Sequence, residues 1–193
     1  MILFKETKDD KMAEKMVNRE LPKISKENKK FVFTEETKTV VGSDGKEHIL
    51  HRIRAMRDMI LGGGSIVVHK GDLGGFIEKE ENLDFSEKSN AWVFEGAMVY
   101  ESAHVTDDAG VSNKAQVYGS ACVCGNARVF DRARVFDQAR VSFFAVVYDS
   151  AHIHGTAEVC GYTYVHGKAE LTDGKWTYGD ITEYNCVKEA RRP

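Results

Sequence analysis

Little in this sequence commits it to a particular chemistry. Its four cysteines, Cys122, Cys124, Cys160 and Cys186, include no C-x-x-C pair. Reduced thiols and a cytoplasmic location are the expectation that follows. No apolar run approaches the roughly 20 residues needed to span a bilayer, so no membrane association is expected. The start, Met1-Ile2-Leu3-Phe4-Lys5-Glu6, is too short and too soon charged to read as a signal peptide. Gly62-Gly63-Gly64-Ser65 and Gly74-Gly75 lack the following Gly-Lys-Ser/Thr of a phosphate loop, and both read as ordinary loops. Net charge is only −3 over 193 residues. Residues 1–30 hold nine Lys/Arg against six Asp/Glu, an excess that reads as a solvated helix face. Nucleic acid is not an expected partner.

What is present is a repeat. From Ala91 a small residue recurs every six positions, through Thr163 to Ala169, and an aliphatic residue follows two places later, from Val93 to Leu171. These are 14 hexads without an insertion. Residues two apart share one side of an extended strand, so alanine and valine face inward together. The position two before each alanine is usually Gly, Asp, Asn or Glu, as at Asp107, Asn113, Gly119 and Asp131. Gly, Asn and Asp tolerate the tight or left-handed backbone of a corner. Three hexads close a triangle, and successive triangles stack at roughly 4.8 Å. The fold class is therefore mainly β, a parallel β-helix of nearly five coils over residues 91–179.

The flanks read differently. Residues 1–30 form a charged helix or arm, with the apolar spacing of Met12, Met16, Val17 and Leu21 marking an amphipathic helix over 8–21. Residues 31–90 form a small α+β capping module. In it Phe31-Val32-Phe33 and Thr39-Val40-Val41, the turn Gly42-Ser43-Asp44-Gly45 and the strand His48–Ile53 make a hairpin. This module plugs the open end of the prism, where unpaired backbone would otherwise template aggregation. Residues 180–193 form a C-terminal cap or tail, with Trp176 and Tyr178 outward in the last partial coil.

The A-x-V-x-[DGN]-x run resembles the hexapeptide-repeat, left-handed parallel β-helix family, which includes trimeric acyltransferases and γ-class carbonic anhydrases. Gly71-Asp72-Leu73-Gly74-Gly75-Phe76-Ile77-Glu78, continuing to Leu83 and preceded by Ile53-Arg54-Ala55-Met56-Arg57-Asp58, resembles the lead-in module of bacterial and phage members. The resemblance covers roughly residues 50–179. It implies left-handed coiling and a homotrimer, and it suggests a role in host interaction, either sequestering a small signal or blocking a host defence protein. It carries no activity.

Chemistry on such a prism belongs to outward positions, and those 18 apart share a face. Phe94 and Tyr148 on one face, with Tyr100 and Tyr118 on a second, form aromatic columns expected at the trimer interface. Arg128, Arg134 and Arg140 occupy one slot in three successive hexads, a belt with one guanidinium on each side, flanked by Phe130 and Phe136. Two readings compete for this belt. Each arginine pairs with a corner aspartate such as Asp131 or Asp137, or the belt forms an anion site between subunits where guanidinium forks bind phosphate or carboxylate and aromatics stack a base. In the resembling acyltransferases a histidine acts as general base. His104, His152, His154 and His166 are candidates, the last two foremost. The repeat has none of the extruded loops with which those enzymes build their sites. Catalytic zinc needs three converging ligands, whereas His152 and His154 are two apart and His154 and His166 diverge. Cys122 and Cys124 read as structural. No metal and no cofactor are expected. The sequence points to a non-catalytic binding or scaffold protein for a small anionic, nucleotide-like ligand or a host protein; the alternative is an acyltransferase using His154 or His166.

Overall fold

The structure, a computed structural model, describes residues 21–186. Each hexad from Ala91 to Ala151 forms a two-residue strand, while those of Ala157 and Thr163 share the longer strand Glu158–Val165. Alanine and valine are at 0% exposure from Ala91 and Val93 to Ala157 and Val159, Ile153 taking one valine place. From Trp92–Val93 to His152–Ile153 each strand pairs in parallel with the strand 18 residues on: Gln116 with Arg134, Cys122 with Arg140, Arg128 with Val146. Stacking, not strand length, supplies the hydrogen bonds. Where alanine gives way to Thr163, the buried hydroxyl donates to the carbonyls of Cys160 and Trp176 at 2.7 and 3.1 Å, so a polar group enters the core satisfied.

The corners explain the sequence at the slot two before each alanine. From Glu101 to Gly167 every such residue has φ between 56° and 69°, the left-handed region that costs most L-residues free energy. Aspartates at this slot also accept backbone N–H groups one coil along: Asp107 from Gly125 at 2.8 Å and Asp137 from Gly155 at 3.0 Å. Phe143 holds the same slot at φ 60° without such an acceptor.

The N-terminal module continues the prism. Strand β1 (Phe31–Val41) pairs antiparallel with β2 (Glu47–Ala55), and β2 with β5 (Leu73–Ile77). β5 in turn pairs in parallel with Met98–Val99, so one face is a sheet of eight strands running from the hairpin to Glu170–Leu171. A small hairpin, β3 (Met59–Leu61) and β4 (Ile66–Val68), lies between them. One hydrophobic core joins Phe31, Ile53, Met59 and Leu61 to the axial valines.

Three expectations need correction. The prism has about six turns, because an earlier coil begins at β5. There Phe76 and Ile77 lie against Met98 and Val99, and Leu83 bridges Val105. The separation of 22 residues, with a 3-10 turn at Glu80–Asn82, conceals that coil from a six-residue count. Gly74 and Gly75 are therefore strand residues, not a loop. A Cβ on Gly75 would lie 2.4 Å from the Phe94 carbonyl oxygen and 2.5 Å from that of Ala97, so close backbone approach demands glycine. Lastly, Trp176 faces inward: the final strand, Lys175–Ile181, runs beside Glu158–Val165 with Trp176 opposite Val159, and the ring packs on the core. Its register is one residue short of 18, which turns Trp176 from the solvent side to the valine position. Tyr178 does face outward, at 82% exposure.

The described part of the N-terminal arm, residues 21–30, is irregular. The helix expected over 8–21 lies, except for Leu21, outside the described residues. Among the described residues the capping module has strands and 3-10 turns but no α-helix, and no helix is long and apolar enough to cross a membrane.

Candidate functional site

The β1–β2 turn reaches over the eight-stranded face and makes a groove there. Val41, Gly42 and Ser43 form one wall; Tyr100, Tyr118 and Phe136 form the floor; Gln116, Arg134 and Asp137 complete a space of ≈ 310 Å³. The floor follows from the repeat. Residues 18 apart stack, so Tyr100, Tyr118, Phe136 and His154 form one ladder, with centroid separations of 5.1, 5.0 and 4.8 Å and ring planes within 6°. Each ring's faces are taken by its neighbours. The column therefore presents ring edges, the electropositive rim of the π-system, where the sequence reading expected faces for a base to stack on. Burial holds the Tyr100 and Tyr118 phenols above their usual pKa, so both stay protonated donors; Tyr100 Oη donates to Gln116 Oε1 at 3.3 Å.

The arginine belt exists but does not converge. Its members stand on strands Arg128–Val129, Arg134–Val135 and Arg140–Val141, one per face of a single coil. Arg128 is half-buried under the capping module and donates to the carbonyls of Asp108 and Ala127, with burial lowering its pKa. Arg140 lies over the thiols, its Nη2 3.1 Å from Cys124 Sγ and its Nη1 3.7 Å from Cys122 Sγ. Arg134 is exposed, as Arg140 is, but it alone of the three makes no hydrogen bond or ion pair among the described residues. The expected pairing with corner aspartates is not seen, because Asp137 bonds the Gly155 N–H and Asp131 accepts from the Asn113 amide. Phe136 shares the groove with Arg134. Phe130 stands on another face, stacked on Tyr148 at 5.2 Å.

Of the four residues expected at a subunit interface, Tyr100 and Tyr118 stack in one ladder, while Phe94 and Tyr148 follow strands of another face. Tyr100 is 3% exposed, covered by Leu50 of β2, and is unavailable to a partner. Tyr118 floors the groove, Phe94 packs against the core, and Tyr148 lies between Phe130 and His166. Besides Tyr178 and Tyr184 near the end of the described chain, strongly exposed aromatics gather at the corner of Phe143, Phe144 and Tyr162, where Phe144 and Tyr162 stack at 5.1 Å. Phe143 was findable in the sequence as the one aromatic in a corner slot.

Each candidate histidine is engaged. His154 stacks on Phe136, with Nε2 3.1 Å from Glu170 and Nδ1 3.8 Å from Asp137. His166 stacks on Tyr148, with Nε2 2.6 Å from Asp180 and Nδ1 3.8 Å from Asp149. His104 Nδ1 lies 2.8 Å from the Glu81 carbonyl oxygen, and His152 sits edge-on to Phe136, its pKa lowered by burial and by Arg134. The Cys122 thiol is drawn down to about 6 by the hydrogen bond from Cys124, with Arg140 and His104 helping and burial opposing; Cys124 is pushed up by the same bond and by burial.

A second depression, ≈ 410 Å³, runs along the corner of Asn113, Asp131 and Asp149 with Lys114 and Arg132. Its charges are mixed and it has no aromatic wall. Comparison of the chain with protein-family models and with curated proteins finds no match.

Proposed function

We propose that this protein is a non-catalytic binding protein whose groove beneath the β1–β2 turn takes a small anionic ligand with a flat ring, a nucleotide-like molecule. One observation supports the reading: Arg134 presents a guanidinium with no hydrogen-bond or ion-pair partner among the described residues, beside the aromatic ladder of Tyr118 and Phe136. Arg128 and Arg140, in the same slot, are occupied by protein atoms. A guanidinium fork matches phosphate or carboxylate oxygens. Ring edges and phenolic hydroxyls carry positive potential toward the π-face of a base or toward an anionic oxygen. The histidines support the same reading. A general base needs a ring nitrogen able to take a proton from an acceptor, and His154 and His166 have both nitrogens against carboxylates.

The test is titration calorimetry of the full chain with nucleoside mono- and diphosphates. Arg134→Ala should weaken binding about tenfold or more, the worth of a charge-assisted hydrogen bond, and Arg140→Ala should leave it unchanged. No binding by the unaltered protein, or equal loss in both variants, sinks the site.

A further inference from the structure

Beyond the groove, Asp44, His48 and Glu101 bring one potential ligand atom each to within 4.8 Å of one another. They come from three places in the sequence: the β1–β2 turn, the start of β2, and the corner after strand Met98–Val99. His48 Nε2 lies 3.1 Å from Asp44 Oδ1 and 4.0 Å from Glu101 Oε1. A tetrahedral cation with bonds of about 2.0–2.2 Å to nitrogen and oxygen sets its ligands roughly 3.4 Å apart, midway between those distances. The opposite ring nitrogen, Nδ1, lies 2.9 Å from Glu78 Oε1. A carboxylate on the far side of a ligating imidazole fixes its tautomer and directs its lone pair at the metal. Glu101 is also supported: Oε2 accepts the Gly119 N–H at 2.6 Å and the Ser43 hydroxyl at 2.8 Å.

The charges point the same way. Three carboxylates, from Asp44, Glu78 and Glu101, surround a single imidazole whose side chain is 14% exposed. The cation at hand, Lys46, bonds the outer oxygen of Asp44 at 3.0 Å and is itself 79% exposed. Two carboxylates aimed at one ring nitrogen in a half-buried place repel unless a positive charge lies between them.

We infer that Asp44, His48 and Glu101 form a site for a first-row divalent transition metal of the zinc class, with Glu78 as the positioning carboxylate. One imidazole and two carboxylates suit zinc better than calcium, which takes oxygen ligands alone. Three protein ligands leave a fourth position open, toward the side where Asp44 is 38% exposed. The metal ties the hairpin turn to the second coil and so fixes the wall that Gly42 and Ser43 give the groove. The inference does not rest on the anion reading, since it is tested with metal alone.

The experiment is equilibrium dialysis of the full chain against zinc chloride, with bound metal counted by elemental analysis and the thermal midpoint followed. A background with Cys122, Cys124, Cys160 and Cys186 all changed to Ser removes the competing thiols. One zinc per chain is expected in that background, with a midpoint that rises with metal. His48→Asn should abolish stoichiometric binding. Glu78→Gln should keep the stoichiometry but weaken affinity about 10–100-fold. Circular dichroism and midpoints in chelator verify that the variants fold. No zinc bound by the background protein overturns the site, as does stoichiometric zinc retained by folded His48→Asn.

Discussion

Phe143 is the side chain most at odds with its position. Twelve corner slots from Glu101 to Gly167 adopt left-handed φ, and the others are glycine, aspartate, asparagine or glutamate. Phe143 is 62% exposed there, so it gains little from burial while bearing a backbone cost of order 1–3 kcal/mol. Phe143→Asp should therefore raise stability by about 1 kcal/mol, measured by urea unfolding; a lower midpoint with unchanged slope would refute the strain argument. A bulky residue kept where it destabilises, beside exposed Phe144 and Tyr162, fits a contact surface. The inward residues of the 14 hexads were legible in the sequence, because alanine and valine at fixed spacing state which way they face. Arg134 was legible as an outward guanidinium. Its freedom was not, since that depends on Asp137 bonding a neighbouring coil's backbone.

Elements joined by long-range contacts were harder to read. The strap of residues 21–30 is held by Glu80, whose carboxylate accepts the Ser25 N–H at 3.0 Å and the Asn28 amide at 2.9 Å. Lys30, 1% exposed, donates to the Asp84 carbonyl oxygen and to Ser89 Oγ. No local pattern announces a buried lysine. Burial lowers its pKa from 10.5 to about 7, with Asp84 opposing. The folded value is depressed, so between about 7 and 10.5 the unfolded chain holds a proton that the folded chain has released. Stability from this group is complete above 10.5 and is lost as pH falls through 7. His48, whose folded pKa is raised by its bonds to Glu78 and Asp44, has the opposite sign. Comparison with Lys30→Met isolates the lysine: the thermal midpoint of the unaltered protein relative to the variant should climb between pH 7 and 10. A difference that stays flat would show the ammonium is not desolvated. The earliest coil escaped sequence reading for a related reason. Gly75 stands where later coils have alanine, and Glu80–Asn82 interrupts the period.

The prism as a unit has one core from Phe31 to Ile181, yet each coil bonds only the coils beside it. Architectures of this kind behave as near-neighbour stacks whose stability sums over adjacent units. The same uniformity left its surface unreadable. Which outward columns are covered depends on where the hairpin folds back, and that is why Tyr100 is buried and Tyr118 only half-buried although both line the groove.

Partners spaced by 18 residues on every face make this chain a ruler with uniform graduations. A second copy of residues 133–150 spliced in after Ser150 should fold, lengthen the protein by roughly 4.8 Å, and keep each downstream side chain on its present bearing. The groove and hairpin, lying upstream, would keep their geometry. Shortening the splice by one residue should ruin it, because an odd slip turns every inward residue out. Circular dichroism and small-angle scattering of the two insertions would read the graduation directly, and equal folding of both would disprove it. Growth by whole laps, with the head left untouched, is thus a freedom that few globular folds possess.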